Sequence, residues 1–186
     1  MSTNISIQSG TPIVFANTTD HAPTATAKNN LGDRTDQINL TSLAAGSYRQ
    51  GAKADQGSPR ARLWQADAAI EFPTAPTAGG LLLLWLGFSD SSTAGQDNPA
   101  NLSGSDGSYA GYGSTATDAG EAIDQLLFVG AAAVSADAAI QVVQFGLYVP
   151  VGRYAIPVLK NETSLAFDSD AIQMSLRLKP LQDILP

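Results

Sequence analysis

The chain of 186 residues has no cysteine, which excludes a disulfide framework and any thiolate metal site and leaves the redox compartment open. It has one histidine, His21, too few for a His-rich zinc site. General acid–base work by His21 would need a positioned partner; its setting beside Thr19, Asp20 and Pro23 reads as a solvated loop. Charged residues are sparse, at 15%, and cations are missing from the middle of the chain: no Lys or Arg occurs between Leu63 and Gly152. With a formal net charge of −7 and no basic stripe interleaved with aromatics, direct nucleic-acid binding is not expected. Long hydrophobic runs are lacking as well. The longest, Leu81 to Phe88, falls far short of the ~20 residues that carry a helix across a bilayer. MSTNISIQSG has neither the basic n-region nor the apolar core of a secretory signal, so neither a membrane segment nor export by that route is expected. No G-x-S-x-G elbow, P-loop, GxGxxG or H-E-x-x-H occurs, and no pair of carboxylates is singled out for glycoside hydrolysis. No enzymatic activity and no cofactor are expected.

What is present reads as strands and turns. Gly numbers 17, Ser, Thr and Ala are abundant, and hydrophobic residues make up 44%, which favours an all-β chain over a helical one. Trp64, Ala66, Ala68, Ile70 and Phe72 alternate with Gln65, Asp67, Ala69 and Glu71, the period-2 pattern of a strand with one wet face. The unbroken run LLLLWLGF implies a strand covered on both faces. Ile123–Val134 is compatible with strand or helix, with Leu127, Val129 and Gly130 favouring a strand. Ile140–Val149, Arg153–Leu159 and Ala171–Leu178 add three further strands between Pro/Gly and Asn/Asp/Ser connections. Residues 62–186 are therefore expected to form a jelly-roll-like β-sandwich. Residues 1–61 carry only short apolar stretches, at Ile5–Gln8, Pro12–Ala16 and Gln37–Leu43, and are expected to be an extended arm with edge strands that orders against something else.

Two regions are candidates for recognition. The segment from Ser89 to Ala119 reads as a long surface loop, where a partner is most plausibly met. It holds Asp90, Asp97 and Asp106, whose spacing does not match an EF-hand, so a hydrophilic loop is favoured over a metal site. Tyr109 and Tyr112 in SDGSYAGYGS either grip a sugar or protein neighbour or fasten the loop to the body. The second region is basic: Lys28, Arg34, Arg49, Lys53, Arg60 and Arg62 face only Asp33, Asp36 and Asp55. Within it Tyr48, Arg49, Lys53, Arg60 and Arg62 are the candidate protein interface, since Arg and Tyr are enriched in interfaces. Nine acids between Leu63 and Gly152 set an acidic body against this basic segment. Such segregation suits neighbours of complementary charge, although acids also simply keep a Gly/Ser-rich surface soluble.

Several phrases look familiar together: SLAAGSYRQGAKADQG (Ser42–Gly57), IEFPTAPTAGG (Ile70–Gly80), SDSSTAGQDNPANLSGSDGSY (Ser89–Tyr109), QLLFVG (Gln125–Gly130) and GLYVPVGRYAIPVLKNETSLAF (Gly146–Phe167). The pattern resembles head decoration (cement) proteins of tailed bacteriophages and related virion components. The resemblance implies a capsid-surface protein, made in the host cytoplasm, that self-associates, often as a trimer, and clamps neighbouring major capsid protein subunits. It carries over no catalytic residue. On that view residues 1–40 reach across to a neighbour, and their removal is expected to weaken capsid occupancy without unfolding the sandwich. From another class, a carbohydrate- or receptor-binding module of a tail or fibre would use the Ser89–Tyr112 loop. A glycan-cleaving enzyme is the remaining alternative.

Overall fold

The computed structural model describes residues 6–9, 11–19, 21–24, 29–57, 61–170 and 172–184. Among the described residues twelve strands dominate: β1 (Ser6–Ser9), β2 (Ile13–Ala16), β3 (Asp36–Gln37), β4 (Tyr48–Gln50), β5 (Ala54–Asp55), β6 (Leu63–Ile70), β7 (Leu81–Ser89), β8 (Gly107–Ser108), β9 (Leu127–Ala133), β10 (Gln141–Tyr148), β11 (Tyr154–Glu162) and β12 (Ser175–Ile184). One short helix, α1 (Ala116–Ile123), and a 3-10 turn at Pro99–Asn101 complete the set. The strands form two sheets that pack face to face as an all-β sandwich. The first sheet has the order β10-β6-β12-β2-β3, with β1 also on β12; the second has the order β8-β4-β11-β7-β9, with β5 also on β11.

The core lies between the sheets. Trp64, Ala66, Ala68 and Ile70 of β6 point inward, as the alternation predicts, and meet Leu82, Leu84 and Leu86 of β7. Trp64 stacks on Tyr148 at 6.3 Å, and Phe72 meets Phe167 edge-on at 5.6 Å. The two central strands each carry a proline, which cannot donate to a ladder. Each proline lies near a break in the neighbouring pairing. β11 pairs with β5 through Tyr154 and Ala155 and with β4 through Val158–Lys160, so Pro157 falls in the gap, where its carbonyl accepts from Gly51. β12 pairs with β2 up to Leu178 and with β1 from Leu181, which brackets Pro180. At one side β9 and β10 meet at a corner so tight that a Cβ on Gly130 would lie 2.0 Å from the carbonyl oxygen of Phe145. Only glycine permits that backbone approach.

The expected division at residue 61 has no counterpart here. β2 and β3 belong to the first sheet, and β4 and β5 to the second. Ile13, Phe15, Ile38 and Leu40 are buried in the main core. The described residues of 13–55 are thus integral rather than an arm, and loss of residues 1–40 would remove core and sheet together. Their apolar content is sparse, but nearly every large apolar side chain in 13–43 is buried. β1 and β2 fall close to the predicted short strands, whereas 123–134 divides into the end of α1 and β9.

Candidate interaction surface

The segment from Ser89 to Ala119 does not project. It folds back over the outer face of the second sheet, where Ala100, Leu102, Tyr109, Ala122, Ile123 and Leu126 bury a second cluster against Tyr48, Ile156 and Val158. Two local devices hold it. α1 begins with a reciprocal capping box between Thr115 and Asp118, whose Thr115 hydrogen bond holds the Asp118 carboxyl below its ordinary value. Gly111, at φ +61°, turns the chain where a Cβ would lie 2.4 Å from the carbonyl oxygen of Asp118.

The residues singled out from the sequence are largely engaged within the chain. Arg49 grips Asp106 with Nε to Oδ1 at 2.7 Å and Nη2 to Oδ2 at 2.6 Å. Asp106 also accepts from the Gln37 side chain and the Asn39 backbone, tying β4 and the long segment to the edge of the first sheet. Lys53 donates to Ser89 Oγ and to the carbonyls of Ser91, Thr93 and Gln96 at 2.7–3.0 Å, and burial lowers its pKa against the pull of Asp97. Tyr48 is buried under the Lys160 ammonium, 4.7 Å from its ring centroid. Tyr109 is buried and donates to the Ala100 carbonyl, so it fastens the segment to the body. Asp90 accepts from the Arg153 backbone, while Asp97, Tyr112 and Arg62 remain exposed. Arg60 lies outside the described residues. Among the described residues no group of His, Asp and Glu is placed to hold a metal ion, and no helix is long and apolar enough to cross a membrane.

Replacing Lys53 by Met removes an ammonium whose three N–H groups are shared among four hydrogen-bond acceptors. We expect a loss of about 2 kcal/mol, each such bond being worth roughly 1.5–3 kcal/mol but shared here among competing acceptors. Faster amide exchange should accompany it in residues 89–97. Unchanged exchange there would show that the loop is held by other contacts.

These internal pairs leave an acidic exterior. Arg49, Arg153, Lys160 and Arg177 are ion-paired with Asp106, Asp55, Glu162 and Asp67, whereas Asp97, Glu121, Asp124 and Asp137 are exposed. A cleft of about 420 Å³ opens beside β4, lined by hydroxyls including Thr41, Ser47, Ser108 and Thr115. The rings of Tyr48 and Tyr109 border it but are 7% and 5% exposed, which leaves them little face for stacking a sugar.

The most distinctive surface is one the sequence did not single out. The outer face of the second sheet is covered only at one end, by the 99–126 segment. Its register places Ala133, Leu81 and Glu162 in one row, Ala131, Leu83, Lys160 and Tyr48 in the next, and Phe128, Trp85 and Val158 in the third. Leu81 is 41% and Phe128 51% exposed, Leu83 and Trp85 are half-buried, and Ala131 and Ala133 are exposed. Phe128 packs at a tilt against Trp85, with ring centroids 5.3 Å apart, extending the apolar surface to the β9 edge. LLLLWLGF, expected to be covered on both faces, is covered on its second face only from Trp85 onward.

Alkaline titration offers a check on the packing. Burial pushes Tyr109 up from 10 to about 12, with Tyr112 and Tyr48 adding to the effect, and burial also raises Tyr148 against a hydrogen bond from Gln56. Both phenols stay neutral in the fold after they would ionise in the unfolded chain. Their contribution is therefore complete below pH 10 and falls as pH rises toward 12. Denaturant titrations should show stability dropping there by up to about 2.7 kcal/mol per pH unit for two retained protons. Tyr148→Phe should reduce that slope by about half; an unchanged slope would remove Tyr148 from the account.

Compared with known proteins, the chain matches no family model and no curated protein.

Proposed function

We propose that the chain is a virion structural protein that binds the capsid surface and stabilises the head lattice, as decoration (cement) proteins do. The observation that carries this is a rigid two-sheet body with an acidic surround whose open apolar sheet end is a place for copies of the chain to meet side by side, as lattice-bound proteins do. Contiguous exposed apolar surface is unusual on a monomer and marks sites of protein contact. The capsid as partner rests on the resemblance of the sequence phrases to tailed-phage head proteins. Many modest contacts repeated over a lattice sum to firm attachment, and a protein that binds only the assembled shell stabilises it by mass action. On this view the partners are the major capsid protein and further copies of the chain, in the trimeric or other oligomeric form such proteins take, and no catalytic step is assigned.

Purified protein added to empty heads should bind saturably and raise the temperature at which the heads disrupt. Heads that neither retain the protein nor gain stability would end this proposal. The hydroxyl-lined cleft beside β4 favours a second reading, a carbohydrate- or receptor-binding module. Binding to glycans without binding to heads would select it, although the buried rings of Tyr48 and Tyr109 weigh against sugar stacking.

A further inference from the structure

We infer that the open end of the second sheet is covered by the same face of a second copy of this chain. β7 is written as a strand buried on both sides, yet among the described residues nothing closes over Leu81, Leu83 is only half-buried, Trp85 is only partly covered by the second cluster, and Phe128, Ala131 and Ala133 widen the exposed strip on β9. Such a face needs a partner with an equally flat apolar surface. The charge pattern says which partner. In the two open rows the only ionised side chains are Lys160 and Glu162, an ion pair two residues apart on β11. The strip is thus neutral inside a chain of net charge −7, so two copies meet there without the repulsion that opposes contact elsewhere on the surface.

The pair also makes the strip self-complementary, as a two-fold interface requires. A two-fold axis crossing the strands runs the two β11 strands in opposite directions and sets Lys160 of each copy against Glu162 of the other. The sheets would then stack at the usual spacing of about 10 Å, and four strands at ~4.8 Å by five residues at ~3.3 Å give a face of roughly 300 Å² in plan. That is well below the ~800 Å² each partner gives up in a standard complex. The association is accordingly weak and concentration-dependent, of a strength that matters when copies are held side by side.

The inference does not depend on the capsid reading, because its test uses the purified full-length chain alone. Sedimentation velocity from low-micromolar to near-millimolar concentration should show a monomer–dimer equilibrium. Phe128→Asp should remain monomeric throughout with unchanged circular dichroism. Lys160→Glu should weaken the dimer at least tenfold, and adding Glu162→Lys to it should restore most of the affinity, since the swapped pair is still self-complementary. Because the chain has no cysteine, Ala131→Cys gives a second readout: with the sheets about 10 Å apart, too far for a disulfide, a short bis-maleimide should cross-link it to a dimer, while Gln144→Cys on the other sheet should not. A monomer at every concentration, a trimer, or a dimer indifferent to Phe128→Asp and not cross-linked through Ala131→Cys would overturn the inference.

Discussion

A chain lacking residues 1–40 is expected to have no cooperative unfolding transition at all. Those residues supply β1, β2, which lies between β12 and β3, and the whole of β3, the short strand that β2 pairs with in parallel. They also supply Ile13, Phe15, Ile38 and Leu40, each 7% exposed or less and packed into the main cluster. Emptying a core site of a side chain this size costs roughly 2–5 kcal/mol, and four such losses reach or exceed the whole stability of a typical domain, about 5–15 kcal/mol. Removing β2 also strips one edge of β12, leaving the backbone of Ser175–Leu178 without its partners. Near-UV circular dichroism should be lost and thermal melting should be featureless. A truncated chain that still melts sharply would mean that the remaining strands close the sandwich unaided, and would restore the arm that the sparse sequence of 1–61 led one to expect.

Why that segment looked dispensable is instructive. An apolar side chain stabilises by where it lands, and density along the sequence does not report this. Phe15 is one of few large apolar residues in its stretch, yet it is fully buried. Short two- and three-residue strands such as β3, β4 and β5 have no period to detect. Where the period was long enough it was legible: the inward set of β6 is the one the alternation picks, and β7 is a strand of the predicted length. The all-β sandwich follows from those elements.

The site was less legible because pairing across the chain leaves no local trace. Arg49 and Asp106 are 57 residues apart and sat in two different candidate regions, a docking segment and a recognition loop, while in the fold each satisfies the other. Lys53 is likewise held by the loop it was separated from. The open strip on β7 and β9 did have a signal, the apolar outward set Leu81, Leu83 and Trp85. Full cover by the chain itself was the default inference for such a run, and only the register and the reach of the 99–126 segment reveal that the cover stops short.

Asp67 shows the same limit and supports the other large effect. Alternation along β6 placed it on a wet face, but it is 2% exposed. Arg177, its registered neighbour on β12, donates Nε to Oδ1 at 2.9 Å and Nη2 to Oδ2 at 2.5 Å, and also reaches the Leu31 carbonyl. The segment around buried Leu31 therefore lies over the outer face of the first sheet and shuts the pair away from water. Asp67→Ala leaves the guanidinium largely enclosed, 22% exposed in its side chain, without its counter-ion, and is expected to cost about 3–5 kcal/mol. Changing both partners, Asp67→Leu with Arg177→Met, removes the stranded charge and should recover much of that loss, because an apolar pair of similar volume often matches a buried ion pair. Denaturant unfolding of wild type, single and double variants measures the difference. A single variant that loses under 1 kcal/mol, or a double variant less stable than the single, would mean that solvent reaches Arg177 and that the cover over the first sheet is looser than its burial implies.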